Sequence, residues 1–337
     1  MEIHVKETNL VRPAQETPNH SLWVSTLDLL MAERPQEALS KALVAFYPLA
    51  GRLGKDENGR LQIECNGEGV LFVEAETSCV IDDEFGEDDF SPSLKMRLLV
   101  PTFDYPSTQI SSNPLLLLQV TYFKCGGVCL GIGWHHILGD GTSAFHFINS
   151  WAELTRGLSL SITPLIDRTI LQSRALPYPI FDHIEYHPPP SMNFEELQSS
   201  PLPTSMARLK LSLDKINTLK AKFKKDHGSA LAYLGEHDPD LTTVKQGVRT
   251  CKCPNLRIVS WAKMPMYDSD FGWGSPIYMG RASIPSIGES YVLSSLSDER
   301  SLSLIICLET RAMELFKNLF YSEGVGPLKE YYKLSSL

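Results

Sequence analysis

Residues 128–151 read VCLGIGWHHILGDGTSAFHFINSW, and this run decides how the chain is understood. Val128–Trp134 is apolar at nearly every position, the pattern of a strand buried on both faces. Further on, Phe145, Ile148, Trp151 and Ala152 fall on one side of a helix, with Thr142 or Ser143 as its expected N-cap. Between strand and helix lie His135, His136, Gly139, Asp140 and Gly141. A sheet delivers side chains to a cleft at such a strand end. An imidazole there can take a proton near neutral pH. A carboxylate four residues on either orients that ring or braces the turn from behind. The glycines let the chain turn sharply and leave space beside the ring.

The residues alone leave three readings open. One is a hydrogen-bonded histidine pair closing a strand. Another is a metal site built from His136, Asp140 and His146, although zinc needs three or four ligands and no other cluster supplies the rest. The third is a general base.

Working outward, Leu115–Phe123 reads as a second strand, joined to the first through a turn at 124–127 that contains Gly126 and Gly127. Leu61–Ile63 and Val70–Ala75 read as strands around a turn at Asn66 and Gly67. Leu39, Ala42, Leu43 and Phe46 share one face of a helix over Gln36–Phe46, which Pro48 stops. The stretch Ala175–Pro203 is proline-rich and aperiodic, an irregular connection. Beyond it, Leu209–Leu213 and Leu302–Leu308 read as strands. Ile216, Leu219 and Phe223 line one helix, and Met313, Phe316, Leu319 and Phe320 stripe a last one. Helix and strand signals thus alternate, the pattern of an α/β chain. They clash at two places: near 29–33 a strand-like segment runs straight into a helix with almost no connection, and near 227–231 a helix breaks into a short, weakly patterned segment that reaches Thr250.

The chain has 337 residues, enough for two domains. Hydrophobic residues make up 43% of it and charged residues 21%. That balance excludes a mostly disordered protein. The net charge of −9 argues against a nucleic-acid or anionic-membrane partner. The acidic run Asp82, Asp83, Glu84, Glu87, Asp88 and Asp89 reads as a solvated loop. Seven cysteines in a chain of this length suggest no disulfide framework, and Cys251 and Cys253 have the wrong spacing for a zinc knuckle. The polar N-terminus lacks a signal-peptide core, and no apolar run approaches the ~20 residues of a membrane helix. The reducing cytoplasm is the expected compartment.

Two motifs, far apart, carry a resemblance. His136, Asp140 and Gly141 match the HxxxDG motif of the plant BAHD acyltransferases, and Asp270, Phe271, Gly272, Trp273 and Gly274 match their DFGWG signature. Stretches beginning at Val11, Ala50, Cys65, Phe123, His146 and Cys253 are similar to the shikimate/quinate hydroxycinnamoyltransferase group of that family. The resemblance covers nearly the whole chain. It implies a two-domain, chloramphenicol-acetyltransferase-like α/β architecture with mixed sheets flanked by helices. Residues 1–174 would form an N-terminal domain carrying HxxxDG and 175–205 a connection. Residues 206–337 would form a shortened, incomplete C-terminal domain carrying DFGWG.

The resemblance further implies transfer of a hydroxycinnamoyl-type group from acyl-CoA, a co-substrate, to an alcohol or amine in a channel between the domains. His136 would be the base and Trp261 the indole donor to the oxyanion, with no acyl-enzyme, metal or prosthetic group. Asp140 and Gly141, and Asp270, Gly272, Trp273 and Gly274, would support the site structurally. The group's shikimate-holding Arg is replaced by Gln246 and its acceptor-facing Thr by Val259, with Arg249 nearby. Because a guanidinium fork suits a carboxylate, these changes point away from shikimate and quinate. A cytoplasmic monomer is expected. The chain is shorter than the family, and the missing sequence coincides with the two clashes near 29–33 and 227–231. The alternative is a non-catalytic or misfolded relative that at most binds aromatic acyl-CoA or phenolics.

Overall fold

The structure is a computed structural model that describes residues 1–15, 21–22, 35–57, 59, 61–86, 90–102, 110–167, 203–220, 256–272, 274–284, 286–295 and 301–321. The chain divides into two units, Met1–Tyr178 with Lys263–Ser283, and Pro179–Ala262 with Ile284–Leu337. The segment carrying Asp270, placed with the C-terminal half on sequence grounds, therefore packs within the first unit. Both points where local signals clash, and the proline-rich connection up to residue 202, lie outside the described residues.

In the first unit, strands β1 (His4–Val11), β5 (Val70–Thr77), β6 (Leu116–Phe123) and β7 (Val128–Trp134) form a mixed sheet in the order β1-β5-β6-β7. The β5–β6 pair is parallel and its two flanking pairs are antiparallel. A small second sheet orders β2 (Ser21–Leu22), β4 (Leu61–Glu64) and β3 (Arg52–Lys55) as β2-β4-β3. The expected strands on either side of Asn66 exist, but they belong to different sheets, so the link between them is not a hairpin turn. Gly67 has a positive φ of 66. Glycine adopts that backbone freely, and here it redirects the chain from one sheet to the other.

The β6–β7 hairpin forms as its alternation and glycine turn predict. Its turn residue Gly126 has a positive φ of 83. The burial expected of Val128–Trp134 on both faces is not found. β6 is buried at almost every position, whereas β7 is half-buried along most of its length. The reason is sheet order: among the described residues β6 lies between two neighbours and β7 is an edge. Gly131 in β7 has a packing role, because a Cβ there would overlap the Leu99 carbonyl.

The crossover from β5 to β6 carries α2 (Ile81–Phe85) and α3 (Leu94–Leu98). Phe85, Met96, Leu99 and Phe123 cluster there, and the buried Gln119 donates to the Leu98 carbonyl at 3.0 Å. The acidic run read as a solvated loop begins as helix α2. Its Glu84 pairs with Lys95 at 2.6 Å. The Lys95 ammonium, then the Cys79 thiol, hold the Glu84 carboxyl down from 4.5 to about 2. A depressed folded-state pKa means that the folded state binds fewer protons. This stabilisation is complete above about 4.5 and is lost as pH falls towards 2. Denaturation midpoints for Glu84→Gln should therefore depend less on pH between 4.5 and 2 than those of the parent; equal slopes would discard this account.

Helix α1 (Pro35–Ala45) buries Leu39, Ala42 and Leu43 and packs on α4 (Gly141–Thr155). Phe46 meets Phe147 edge-on at 5.0 Å. Arg52 is only 2% exposed; it donates to the Gly51 and Gly69 carbonyls and pairs with Glu68 at 3.0 Å. These bonds account for a buried guanidinium that would otherwise be costly.

In the second unit, β8 (Thr204–Leu211), β11 (Leu302–Glu309), β10 (Glu289–Ser294) and β9 (Arg257–Ser260) lie in the order β8-β11-β10-β9. Only the β10–β9 pair is parallel. Residues 213–220 form α5, and α6 (Thr310–Tyr321) packs Met313, Phe316 and Phe320 over Ala207, Leu209 and Ile306. Each unit thus holds a four-stranded mixed sheet with helices, and the first also holds the small β2-β4-β3 sheet. No helix among the described residues is long and apolar enough to cross a membrane.

Candidate active site

Strand β7 ends at Trp134 and the chain enters a 3₁₀ turn over His136–Leu138. Two bonds fix the corner. The His135 amide donates to the Leu115 carbonyl at 3.1 Å, and the His135 Nδ1 accepts from the Ile137 amide at 3.4 Å. Partial burial, and then the adjacent His136, hold His135 below the usual histidine range. His135 is therefore occupied as the cap of the turn. His136 is exposed, and among the described residues its ring makes no hydrogen bond. Gly139 has a positive φ of 149 and swings the chain from the turn into α4. An L side chain rarely tolerates that backbone.

Asp140 is the N-cap of α4, a place the sequence assigns to Thr142 or Ser143. Its Oδ1 accepts from both the Ser143 amide and the Ser143 hydroxyl at 2.8 Å. The Ser143 amide is the main cause that holds the Asp140 carboxyl below the usual range, with the hydroxyl adding to it against partial burial. An N-cap has extended backbone and accepts from the third residue on. Asp140 meets both conditions, with ψ at 177. The carboxylate braces the turn and serves the helix; it does not orient an imidazole. Asp140→Ala should cost about 1 kcal/mol in urea denaturation and Asp140→Ser much less; an equal loss in both would refute the capping role.

Gly141 opens the helix against Met264: a Cβ there would come 2.6 Å from Cε. The Asn149 amide reaches the Pro265 carbonyl at 3.3 Å. At the far end of α4, Asp270 Oδ1 accepts from the Gly272 and Gly274 amides at 2.8 Å, while Oδ2 faces Arg156 at 3.6 Å. Phe271 meets Trp151 edge-on at 6.1 Å. The structure thus brings Asp140, Gly141, Asp270, Gly272 and Gly274 together along one helix. Trp273 lies outside the described residues. Sequence reasoning missed Arg156; the signal available was a cation in the turn closing α4, opposite in charge to Asp270.

In the second unit, Trp261 follows β9 directly. Its amide donates to the Val292 carbonyl at 2.7 Å and its indole lies edge-on to Tyr291 at 5.7 Å. Val259 is half-buried in β9, in register with Tyr291. Gln246 and Arg249 lie outside the described residues. No group of three or more His, Cys, Asp or Glu side chains able to hold a metal ion occurs among the described residues.

A model of the Transferase family matches residues 31–232 and 208–323. Shikimate O-hydroxycinnamoyltransferase of Nicotiana tabacum is 38% identical, over an alignment covering 95% of this chain and 100% of that protein. The chain belongs to the BAHD acyltransferase family. As a member it is an acyltransferase. The alignment to the tobacco protein runs over 439 residues, more than the 337 here, so the relative carries internal stretches that this chain lacks. A hydroxycinnamoyl-CoA:5-hydroxyanthranilate N-hydroxycinnamoyltransferase of Avena sativa is 34% identical, over 95% of this chain and 99% of that one. Among solved structures, vinorine synthase aligns with a TM-score of 0.62 over 93% of this chain and 96% of its own, at 19% identity. That likeness shows the shared fold, the mixed α/β architecture of this family.

Proposed function

We propose that this acyltransferase moves a hydroxycinnamoyl-type group from CoA to an alcohol or amine acceptor other than shikimate or quinate, with His136 as general base. The acceptor proton passes to His136, and the freed oxygen or nitrogen attacks the thioester carbonyl directly. The tetrahedral intermediate places negative charge on the carbonyl oxygen, which the Trp261 indole N–H stabilises. Collapse breaks the carbon–sulfur bond, and the CoA sulfur takes the proton back from the imidazole. No acyl-enzyme forms, and no metal or prosthetic group takes part. On this reading the chain works as a monomer in the cytoplasm.

The observation that carries this reading is the division of labour at 135–140. Both histidines are exposed, but one is tied into the turn and the carboxylate is spent on the helix, so among the described residues His136 is the ring of the pair without a hydrogen bond. The acyl group is supported by the tobacco and oat relatives, whose names pair hydroxycinnamoyl transfer with an alcohol and an amine acceptor. The replacement of the expected guanidinium by Gln246 weighs against a carboxylate held as shikimate would be.

The test incubates the purified chain with p-coumaroyl-CoA and a panel of phenolic alcohols and arylamines. Shikimate and quinate are included, and products are read by mass. Acceptor-dependent ester or amide formation that survives EDTA is expected, with shikimate and quinate poor. A chain that releases no CoA with any acceptor, or that dies on chelation, would overturn the reading.

A further inference from the structure

On β10, Glu289 and Tyr291 are two residues apart and so stand on one face of the sheet. Both are buried, and the Tyr291 hydroxyl donates to Glu289 Oε1 at 2.8 Å. That same oxygen lies 3.7 Å from the Arg257 guanidinium, and Arg257 is in register with Glu289 on the parallel neighbour β9. Two residues along, Val259 is in register with Tyr291; two further on, Trp261 sets its indole edge-on to the Tyr291 ring at 5.7 Å. The backbone of Trp261 is held separately, by its bond to Val292. The phenol is thus fixed at its oxygen by a carboxylate and pressed at its ring against the indole. A buried glutamate is costly in a sheet unless it is paired, and here Oε1 is met by the phenol of Tyr291 on β10 itself and by a guanidinium from β9, the strand that leads to Trp261.

We infer that Tyr291, anchored by Glu289 and Arg257, is a positioning residue that sets the direction of the Trp261 indole N–H. The inference rests on the reading of Trp261 as the oxyanion donor and adds the device that aims it. An oxyanion donor acts through preorganisation, and freeing one end of its support weakens it without removing it. A ring leaning on a phenol that is itself hydrogen-bonded has fewer orientations than one leaning on a free phenyl.

The test compares kcat and KM for acyl-CoA in the full chain and in Tyr291→Phe, Trp261→Phe and the double variant. Tyr291→Phe keeps the ring and the packing, so the variant folds, and melting confirms it. It is expected to lower kcat roughly tenfold with KM unchanged. Trp261→Phe is expected to lower kcat by about 10²–10³. In the Trp261→Phe background, Tyr291→Phe is expected to change kcat less than about twofold, because there is no N–H left to aim. If Tyr291→Phe lowers kcat by the same factor in both backgrounds, or leaves kcat unchanged in the parent, the positioning role is overturned and the donor role of Trp261 stands. If Trp261→Phe itself leaves kcat unchanged, the donor reading fails and takes the inference with it.

Discussion

His136→Ala is expected to lower kcat by roughly 10²–10⁴-fold, the range for removal of a positioned general base, while leaving the fold intact. The imidazole is exposed and makes no hydrogen bond among the described residues, so its loss removes little packing. The change in stability should stay within about 0.5 kcal/mol. The control is its neighbour. His135 caps the 3₁₀ turn through Nδ1. His135→Ala should therefore disturb the corner and lower activity by a small factor, with part of the loss restored by His135→Asn, whose side-chain oxygen can accept the same amide. The measurement is steady-state kinetics with hydroxycinnamoyl-CoA, paired with thermal melts of each variant. Unchanged kcat in His136→Ala would discard the base assignment. A larger loss in His135→Ala than in His136→Ala would transfer the role to the capping ring and break the account of the turn.

That contrast also marks how much of the site is legible in the sequence. The strand, the turn, the helix and the HxxxDG spacing are readable because hydrophobic period, glycine and polar side chains all change within a few residues. The identity of the cap is not. Asp140, Thr142 and Ser143 are all good cap residues, and only the backbone angles and the bond to Ser143 choose among them. The burial of β7 escapes a local reading for a related reason. An apolar run is equally compatible with a central and an edge strand, and order within a sheet is a long-range property that no local period reports. β1 escapes too, because its residues are mostly polar and its faces mostly exposed, so it lacks the alternation that identifies a half-buried strand. The same limit applies to Asp270. Its sequence predicts a tight glycine-rich loop, but Arg156 lies far earlier in the chain and only the fold brings the two together.

The largest stability effect expected in the chain falls at that same junction. Trp151 is fully buried, packs against Phe147 at 6.0 Å within α4 and meets Phe271 edge-on. Trp151→Ala should cost about 3–5 kcal/mol, because a cavity of that size cannot close around a helix fixed at both ends. The nearby Arg156–Asp270 pair competes for the credit of holding the 270–274 loop. Both its side chains are about one-third exposed, and at 3.6 Å the pair is screened. Arg156→Ala should therefore cost no more than about 1 kcal/mol. The ring contact outweighs the charge by several-fold. Trp151→Phe separates shape from chemistry. Among the described residues the indole Nε1 has no hydrogen-bond partner. Phenylalanine thus gives up volume but no hydrogen bond, and should cost less than half as much as alanine. Urea unfolding followed through the first unit, with the slope unchanged between variants, measures all three. A larger loss for Arg156→Ala than for Trp151→Ala would mean that the loop is fastened by its ion pair, and that the buried stack only fills space beside it.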